Sequence, residues 1–348
     1  MVNNGYIYIV TLLKKIFKLL NQTFSLANFE EIYDEDNRKG KNRDNLFFPD
    51  VVASSKRLSS KARALRAYKK RYALYKKYPT HIQRRYDVLF KNLKKQREHR
   101  EAQISIALAK VAENTNRKSF RIGIHQNINF SKPVYERDDK PESYYALRQI
   151  TRNIRRLYKT KPADRNSIIS QVENLLQDNF PYTIIRTDIS NFFESVDQGK
   201  LQEKLIRDQL LSTNSVKLIK QILWDYSILS NSQGKGIPRG LGISSDLAEL
   251  FLKALDREIK EIEGVVYYAR YVDDILILLA PSLTMASSAC LPKVRALVEK
   301  NGLLLNEKKT IQLERLNHSK KFEYLGYEFT LKPSRVEIDI TKSKFERF

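Results

Sequence analysis

The tetrapeptide Tyr271-Val272-Asp273-Asp274 lies between two apolar runs, residues 265–270 and 275–280. Ionised aspartates repel each other and resist burial, so a pair at the tip of a hairpin is costly unless a cation is held beside it. A hairpin with a solvated Asp-Asp turn is the simpler interpretation of the dipeptide alone. The neighbouring segments decide between this interpretation and a metal site.

A third aspartate follows another β-branched run. Residues 183–187 are typical of a strand and lead directly to Asp188. Carboxylates from two strands can hold two divalent ions roughly 3.5–4 Å apart, which stabilises both the attacking and the leaving oxygen in phosphoryl transfer. Asp188, Asp273 and Asp274 are therefore candidate ligands of two Mg²⁺ ions, with Mn²⁺ as an alternative.

Five segments follow one another along the chain and cover about residues 182–329. They are Asp188-Ile-Ser-Asn-Phe-Phe193, Gly236-Ile-Pro-Arg-Gly-Leu-Gly-Ile-Ser-Ser245, Tyr271-Val-Asp-Asp274, Gly302-Leu-Leu-Leu-Asn-Glu-Lys-Lys-Thr310 and Phe322-Glu-Tyr-Leu-Gly-Tyr-Glu-Phe329. In this order they resemble motifs of the reverse transcriptase family. The resemblance implies an α+β fold, a right-hand polymerase with a reverse-transcriptase palm and fingers.

Within that family, the chain is most similar to the bacterial abortive-infection and defence-associated reverse transcriptases. The similarity rests on residues 161–176, which precede the first motif, and on departures in the second motif. Where the family usually carries Gln, Pro and Asn, this chain has Arg239, Ser245 and Glu249. These changes spare the metal ligands but put ordinary template handling in doubt.

The resemblance assigns catalysis to Asp188, Asp273 and Asp274. It makes the backbone carbonyl of Ile189 an additional metal ligand. Lys309 matches a lysine placed near the pyrophosphate, where it would be a general acid; a solvated lysine is the alternative.

The resemblance also implies how substrates are recognised. Phe193 corresponds to the sugar gate, where a bulky ring leaves no space for a ribose 2′-hydroxyl, so the expected product is DNA. Gly240 allows close backbone approach to the incoming nucleotide, and Arg239 would pair with a phosphate or a base edge. Leu325 and Gly326 lie at the expected primer-grip turn.

The charge balance argues for a polyanionic partner. The 348 residues include 63 Lys and Arg against 40 Asp and Glu, a formal charge of +23. Residues 51–100 carry 17 of these cations against Asp87 and Glu98. The single cysteine, Cys290, excludes an internal disulfide and fits a reducing cytoplasm. No apolar window reaches the roughly 18 residues of a membrane span, so no membrane partner is expected.

The motifs divide the chain into four predicted regions. Residues 1–119 form a basic helical N-terminal extension, 120–181 the fingers, 182–320 the palm, and 321–348 the primer grip and the start of a thumb. Because 19 residues follow Phe329, we expect a short or missing thumb, a second protein subunit or homo-oligomer that replaces it, or a sequence that is cut short.

Two of these regions carry further basic patterns. In the extension, two long helices are expected between Ser59 and Asn114, with an aromatic stripe that either packs in a core or stacks on bases along a phosphate-binding arm. The stripe is Leu65, Tyr68, Tyr72 and Tyr75. In the fingers, basic residues recur at helical intervals from Arg148 to Arg165; Arg165 is the first choice for nucleotide binding.

Three functions follow from these observations. The leading one is an RNA-directed DNA polymerase that uses dNTPs and a cognate non-coding RNA in bacterial antiphage defence. A related enzyme with template-independent or protein-primed DNA synthesis is the second. The third is a non-catalytic RNA-binding scaffold, against which the three clustered aspartates count.

Overall fold

In the computed structural model, the described residues are 21–72, 80–130, 132–160, 163–178, 180–283, 286–314, 320–332 and 335–346. Their contacts divide the chain into two units. The first is drawn from Met1–Gly123 and Arg137–Ile150, and the second from Ile124–Glu136 and Thr151–Phe348.

Helices form the first unit, and local signals explain where they begin. The Ser25 side chain accepts a hydrogen bond from the Asn28 amide, which caps the first helix, and Pro49 occupies the first turn of a later one. Phe29 of the first helix and Leu108 of the helix Thr80–Thr115 are fully buried. The helices are α1 (Leu26–Arg38), α2 (Asp44–Phe47), α3 (Pro49–Arg71) and α4 (Thr80–Thr115), and α5 (Pro141–Tyr158) begins in this unit and ends in the second.

The long helices α3 and α4 were predicted, and the structure confirms them. Within residues 56–72 and 80–99, which we call the arm, no side chain is buried. The Tyr68 hydroxyl donates to the Ile82 carbonyl at 3.1 Å, and the rings of Tyr68 and Tyr72 lie 4.9 Å apart. The described part of the aromatic stripe therefore packs between the two helices; Tyr75 lies outside the described residues.

An antiparallel sheet is the centre of the second unit. Its strands follow the order β4-β5-β3-β6, and β3 and β5 are almost entirely buried, as expected for their β-branched and leucine-rich sequences. The strands are β3 (Thr183–Asp188), β4 (Val265–Tyr271), β5 (Asp274–Leu279) and β6 (Ile311–Glu314), and the helices around them are α7 (Phe192–Ser195), α8 (Gln198–Asp208), α9 (Thr213–Ser230), α10 (Ser244–Lys260) and α11 (Cys290–Lys300).

A second sheet and one helix complete the core of this unit. Val172 of the helix Arg165–Leu176, Leu276 of the central sheet and Phe329 of the second sheet are fully buried in one apolar cluster. The remaining elements are β1 (Ile124–Asn127), β2 (Val134–Arg137), α6 (Arg165–Leu176), β7 (Lys320–Tyr324), β8 (Tyr327–Leu331), β9 (Val336–Ile340), α12 (Lys342–Phe345) and the 3-10 turns Ser287–Ala289 and Glu307–Lys309.

The α+β class predicted from the sequence is confirmed. The hairpin expected at 265–280 is formed by β4 and β5. The boundaries between extension, fingers, palm and primer grip stay predictions. Among the described helices, none has the length and apolar character needed to cross a bilayer.

Candidate active site

Three carboxylates meet at one edge of the central sheet. Antiparallel pairing of β3 with β5 places Asp188 opposite Asp274, and Asp273 lies in the turn just before β5. One oxygen from each aspartate lies within 4.8 Å of the others. The Ile189 amide donates to the Asp273 carbonyl at 3.1 Å and ties the end of β3 to the turn. The convergence predicted from the sequence is therefore present.

The turn that carries Asp273 has a strained backbone. Val272 has a φ of +60°, a conformation that a β-branched residue rarely adopts. The left-handed region costs an L-residue roughly 1–2 kcal/mol, and such strain persists only where neighbouring groups enforce it. Arg270 supplies one such contact, because its Nη1 donates to the Val272 carbonyl at 2.8 Å.

Arg270 uses all five of its N–H donors. Besides Val272, it bonds Asp256 at 2.8 and 2.7 Å and Glu249 at 3.0 and 2.8 Å. Burial alone would lower the pKa of this guanidinium, but the hydrogen bonds and charges of Asp256 and Glu249 raise it overall. Glu249, which stands where the family usually has Asn, is thus a partner of the arginine that supports the turn.

Two cationic side chains reach the aspartates. Lys309 Nζ donates to Asp188 Oδ2 at 2.8 Å, and Arg186 Nη2 donates to Asp274 Oδ1 at 2.9 Å. Burial, followed by the charge of Asp188, raises the pKa of Asp273. Burial also raises the pKa of Asp274, although Arg186 opposes that shift. Three negative charges therefore face two positive ones.

The donor set fits hard divalent cations. Carboxylate oxygens are the ligands that Mg²⁺ and Mn²⁺ prefer, and among the described residues Asp273 has no cationic side chain within ion-pair distance. A cavity of about 490 Å³ opens in front of the group. It is lined by Arg165, Arg186, Phe193, Arg239, Tyr271, Val272, Asp273, Asp274, Glu323, Tyr324, Leu325, Gly326, Thr341 and Lys344.

The two adjacent phenylalanines face different surroundings. Phe192 is buried in the core, whereas Phe193 is half-buried and lines the cavity. The Arg239 guanidinium lies 5.2 Å from the centre of the Phe193 ring, and its Nη2 donates to Glu194 at 2.9 Å. Arg239, predicted to pair with a phosphate or a base, is here paired with Glu194 and stacked on Phe193.

Gly240 is required by packing of the chain on itself. It has a φ of +100°, and a Cβ added to it would lie 2.5 Å from Val134 Cγ1 and 2.8 Å from the Tyr135 carbonyl oxygen. β2 therefore approaches the Gly240 backbone closely, and close approach of a nucleotide stays a prediction. Tyr135 also donates its amide to the Arg239 carbonyl at 2.6 Å, so β2 fixes this loop.

The predicted primer-grip residues form the two-residue turn between β7 and β8. Leu325 and Gly326 have φ values of +50° and +72°, as a tight hairpin turn requires. Arg165 donates from Nη2 to the Leu325 carbonyl, and its guanidinium lies 5.7 Å from the centre of the Tyr327 ring. Arg165 thus contacts the turn between β7 and β8 and also lines the cavity, and its assignment to nucleotide binding stays a prediction.

The other basic residues predicted for the fingers have separate partners. Arg148 pairs with Asp36 at 2.7 Å in the first unit, and Arg155 pairs with the fully buried Asp246 at 2.8 Å in the second. Each of these two arginines therefore neutralises a carboxylate within its own unit. A role for the basic residues of this region in binding phosphate stays a prediction.

Sequence reasoning missed four residues of the site. Arg186 lies two positions before Asp188 on a strand, so period-two alternation would have placed it on the aspartate face. Asn306, whose side chain donates to Asp188 Oδ1 at 3.3 Å, is inside the fourth motif and could have been included. Arg270 and Glu194 act through partners distant in sequence, and no local pattern reveals them.

A profile of the family described as reverse transcriptase (RNA-dependent DNA polymerase) matches residues 144–329, slightly more than half of the chain. No curated protein sequence matches.

Several solved structures of telomerases are similar to this chain. The apo enzyme from Candida tropicalis, truncated from its C-terminal domain, has a TM-score of 0.43 and 14% identity over 63% of this chain and 54% of its own. The same organism's telomerase in complex with a TWJ fragment of telomeric RNA has a TM-score of 0.44 and 11% identity, over 75% of this chain and 56% of its own. Telomerase from Candida albicans in complex with a TWJ fragment of telomeric RNA has a TM-score of 0.38 and 14% identity, over 56% of this chain and 37% of its own. The chain thus spans between about a third and somewhat more than half of these telomerases.

Proposed function

The chain belongs to the reverse transcriptase family, and from this membership we propose that it is an active RNA-directed DNA polymerase that extends a primer with dNTPs. The observation that carries the proposal is the convergence of Asp188, Asp273 and Asp274 within 4.8 Å at the edge of the sheet. A scaffold without catalysis would have no use for three carboxylates whose mutual repulsion and burial destabilise the fold.

Asp188 and Asp273 would hold both metal ions, with Asp274 contributing from one side because Arg186 already occupies one of its oxygens. We further assign the Ile189 carbonyl as an additional ligand. When bound, a pair of Mg²⁺ ions lowers the pKa of the primer 3′-hydroxyl and neutralises charge on the departing pyrophosphate. Mn²⁺ should substitute, since it takes the same oxygen ligands.

The two cations beside the aspartates would have different tasks. Arg186 is largely buried and donates to both Asp274 and the Lys309 carbonyl, so it fixes these groups. Lys309 is half exposed, and its ammonium can leave Asp188 for the triphosphate. There it would balance charge and donate a proton to the leaving oxygen.

Phe193 is assigned as the sugar gate, with Arg239 and Glu194 holding its ring at the cavity wall. Replacing Phe193 by alanine should admit the ribose 2′-hydroxyl, and we expect the preference for dNTPs over rNTPs to fall roughly 10- to 100-fold. The measurement is kcat/KM for matched dNTP and rNTP pairs.

Phe180→Ala is the matched control, because Phe180 is a partly exposed phenylalanine that does not line the cavity. It should leave sugar selection unchanged. Equal selectivity in wild-type and Phe193→Ala protein would remove Phe193 from this role.

The direct test of the proposed function is an extension assay with an annealed DNA primer, an RNA template, Mg²⁺ and labelled dNTPs. Template-complementary DNA supports the proposal. DNA that grows without template, or that remains covalently attached to the protein after denaturation, supports the template-independent or protein-primed alternative. A protein that binds RNA but synthesises no DNA would support the third alternative, a non-catalytic RNA-binding scaffold.

We place this activity in bacterial antiphage defence with a cognate non-coding RNA as template. The support is the resemblance of residues 161–176 and of the altered second motif, Arg239, Ser245 and Glu249, to defence-associated relatives. Equal phage plating on cells carrying the native locus with wild-type or Asp188→Asn protein would count against this role.

A further inference from the structure

We propose that the arm, residues 56–72 and 80–99, is a docking surface for the phosphate backbone of double-helical RNA, bound by shape and charge rather than by base sequence. This inference rests on the proposed function in so far as an RNA partner is assumed. It assigns that partner to a surface in the first unit, separate in sequence from the catalytic motifs.

The arm stabilises itself only through the contact between its two helices. Its half-buried residues recur every three or four positions on each helix, which is the pattern of a two-stranded seam. All other positions of the arm are exposed. The apolar and aromatic seam residues are Leu58, Ala62, Leu65, Tyr68, Tyr72, Ile82, Tyr86, Leu89 and Leu93.

The exposed surface of the arm carries almost one sign of charge. Fourteen lysines and arginines stand against Asp87 and Glu98, so about half of the formal +23 lies here. The cations are Lys56, Arg57, Lys61, Arg63, Arg66, Lys69, Lys70, Arg71, Arg84, Arg85, Lys91, Lys94, Lys95 and Arg97.

These cations are not balanced within the arm. Among its described residues, the one ion pair is Lys94 with Glu98 at 3.9 Å. A solvent-exposed helical hairpin normally mixes charges of both signs, which adds stability through i,i+4 pairs, whereas like charges at those spacings destabilise it. A bound polyanion would reverse that repulsion, so the charge pattern is explained by an anionic partner.

The chemistry of the surface favours a nucleic-acid duplex over a membrane. An interfacial helix needs a continuous apolar face, but the large apolar residues of the arm lie in the seam, apart from the exposed Val88 and Phe90. Single-stranded nucleic acid is usually bound by stacking bases on aromatic side chains, and Tyr68 and Tyr72 are occupied with packing. Of the polyanions considered, the phosphate backbone of a rigid double helix fits the arm best.

The length of the arm also suits such a partner. Residues 56–71 form sixteen residues of continuous helix, which extend about 24 Å at 1.5 Å per residue. That is comparable to one turn of a double helix, so several cations can contact phosphates at once. Because the contacts are to phosphates, binding should weaken steeply with salt.

The test uses the full chain and a five-fold neutralised variant, Lys61→Gln, Arg63→Gln, Arg66→Gln, Lys69→Gln and Lys70→Gln. Glutamine retains helix propensity and relieves repulsion, so the arm should remain folded by circular dichroism. The probe is a labelled 20-base-pair RNA duplex of random sequence, titrated without dNTPs or divalent metal between 50 and 200 mM KCl. We expect at least about tenfold weaker binding and a log K against log salt slope smaller by about 2 to 4.

The matched control neutralises five exposed cations of the second unit to glutamine: Arg207, Lys217, Arg257, Lys260 and Lys293. It removes the same charge and should leave most of the affinity. Equal losses in both variants would show general attraction by net charge and overturn the assignment, as would unchanged binding by the arm variant. Tighter binding of wild-type protein to anionic lipid vesicles than to the duplex would also overturn it.

The proposal for the arm and the proposal of catalysis can be refuted independently. Asp273→Asn should bind the duplex like wild type, whereas the arm variant should still extend a primer–template supplied at saturating concentration. An inactive wild-type protein with an arm-dependent salt slope would refute catalysis alone. An active protein with arm-independent binding would refute the arm alone.

Discussion

Asp273→Asn is expected to lower nucleotide incorporation at least about 1,000-fold while leaving the protein folded. The substitution removes a ligand that lies within 4.8 Å of both other aspartates, but it keeps the side-chain volume in a partly buried turn. The loss should appear in kcat as well as in kcat/KM, because the carboxylate acts on the transition state through the metals.

Asp273→Asn should also change the stability of the folded protein, and the direction of that change follows from the pKa of Asp273. Burial and the charge of Asp188 raise the pKa of Asp273, so the folded state takes up a proton more readily than the unfolded chain. Ionisation above that pKa therefore costs stability, and an uncharged asparagine avoids this cost. At neutral pH without metal, Asp273→Asn should melt at the same temperature as wild type or higher.

Asp208→Asn is the control, because Asp208 is a carboxylate of the same unit that is paired with Lys204 at 3.0 Å. It should retain wild-type incorporation. Retention of more than about a tenth of the wild-type rate by Asp273→Asn would show that Asp273 does not hold the reactive metals.

Arg270 should be the most sensitive structural position near the site. Arg270→Leu leaves Glu249, Asp256 and the Val272 carbonyl without their shared donor, and we expect a loss of about 3 kcal/mol in the free energy of unfolding. Urea denaturation checks this. Arg257→Leu, at an arginine whose side chain is 73% exposed and pairs only with Glu261, should change stability by about 0.5 kcal/mol or less.

A milder substitution separates positioning from stability. Arg270→Lys keeps the charge, but three donors on a single nitrogen cannot replace the five bonds that the planar guanidinium makes to Glu249, Asp256 and Val272. The strained turn should then lose its geometry, and kcat should fall about tenfold or more with little change in KM for dNTP. A variant with wild-type kcat and lowered stability would make Arg270 a purely structural residue.

The sequence was most informative where function requires local patterns. Strand periodicity placed the three aspartates at strand ends, and the resemblance of the surrounding segments to the family's motifs led to the prediction that Asp188 and the 273–274 pair converge. The same resemblance singled out Phe193, and Phe193 lines the cavity whereas its neighbour Phe192 is buried. These predictions depend on backbone geometry that a few residues specify.

Side-chain partners distant in sequence were beyond that reasoning. Helical spacing suggested a phosphate cradle that included Arg148 and Arg165, but Asp36 and the Leu325 carbonyl lie 112 and 160 positions away from these two residues. Whether an arginine meets a ligand or an internal acceptor depends on tertiary packing. The same reason explains why Glu249 was interpreted through template handling before its pairing with Arg270 was visible.

Direct counting of bound metal tests the central claim. Electron paramagnetic resonance of Mn²⁺ titrated into the protein with primer–template and a non-hydrolysable dNTP should reveal two ions per chain with the coupling of a close pair. The Asp188→Asn, Asp273→Asn double variant should lose that signal. A wild-type protein that binds no more Mn²⁺ than the double variant would contradict the account, whatever its affinity for nucleic acid.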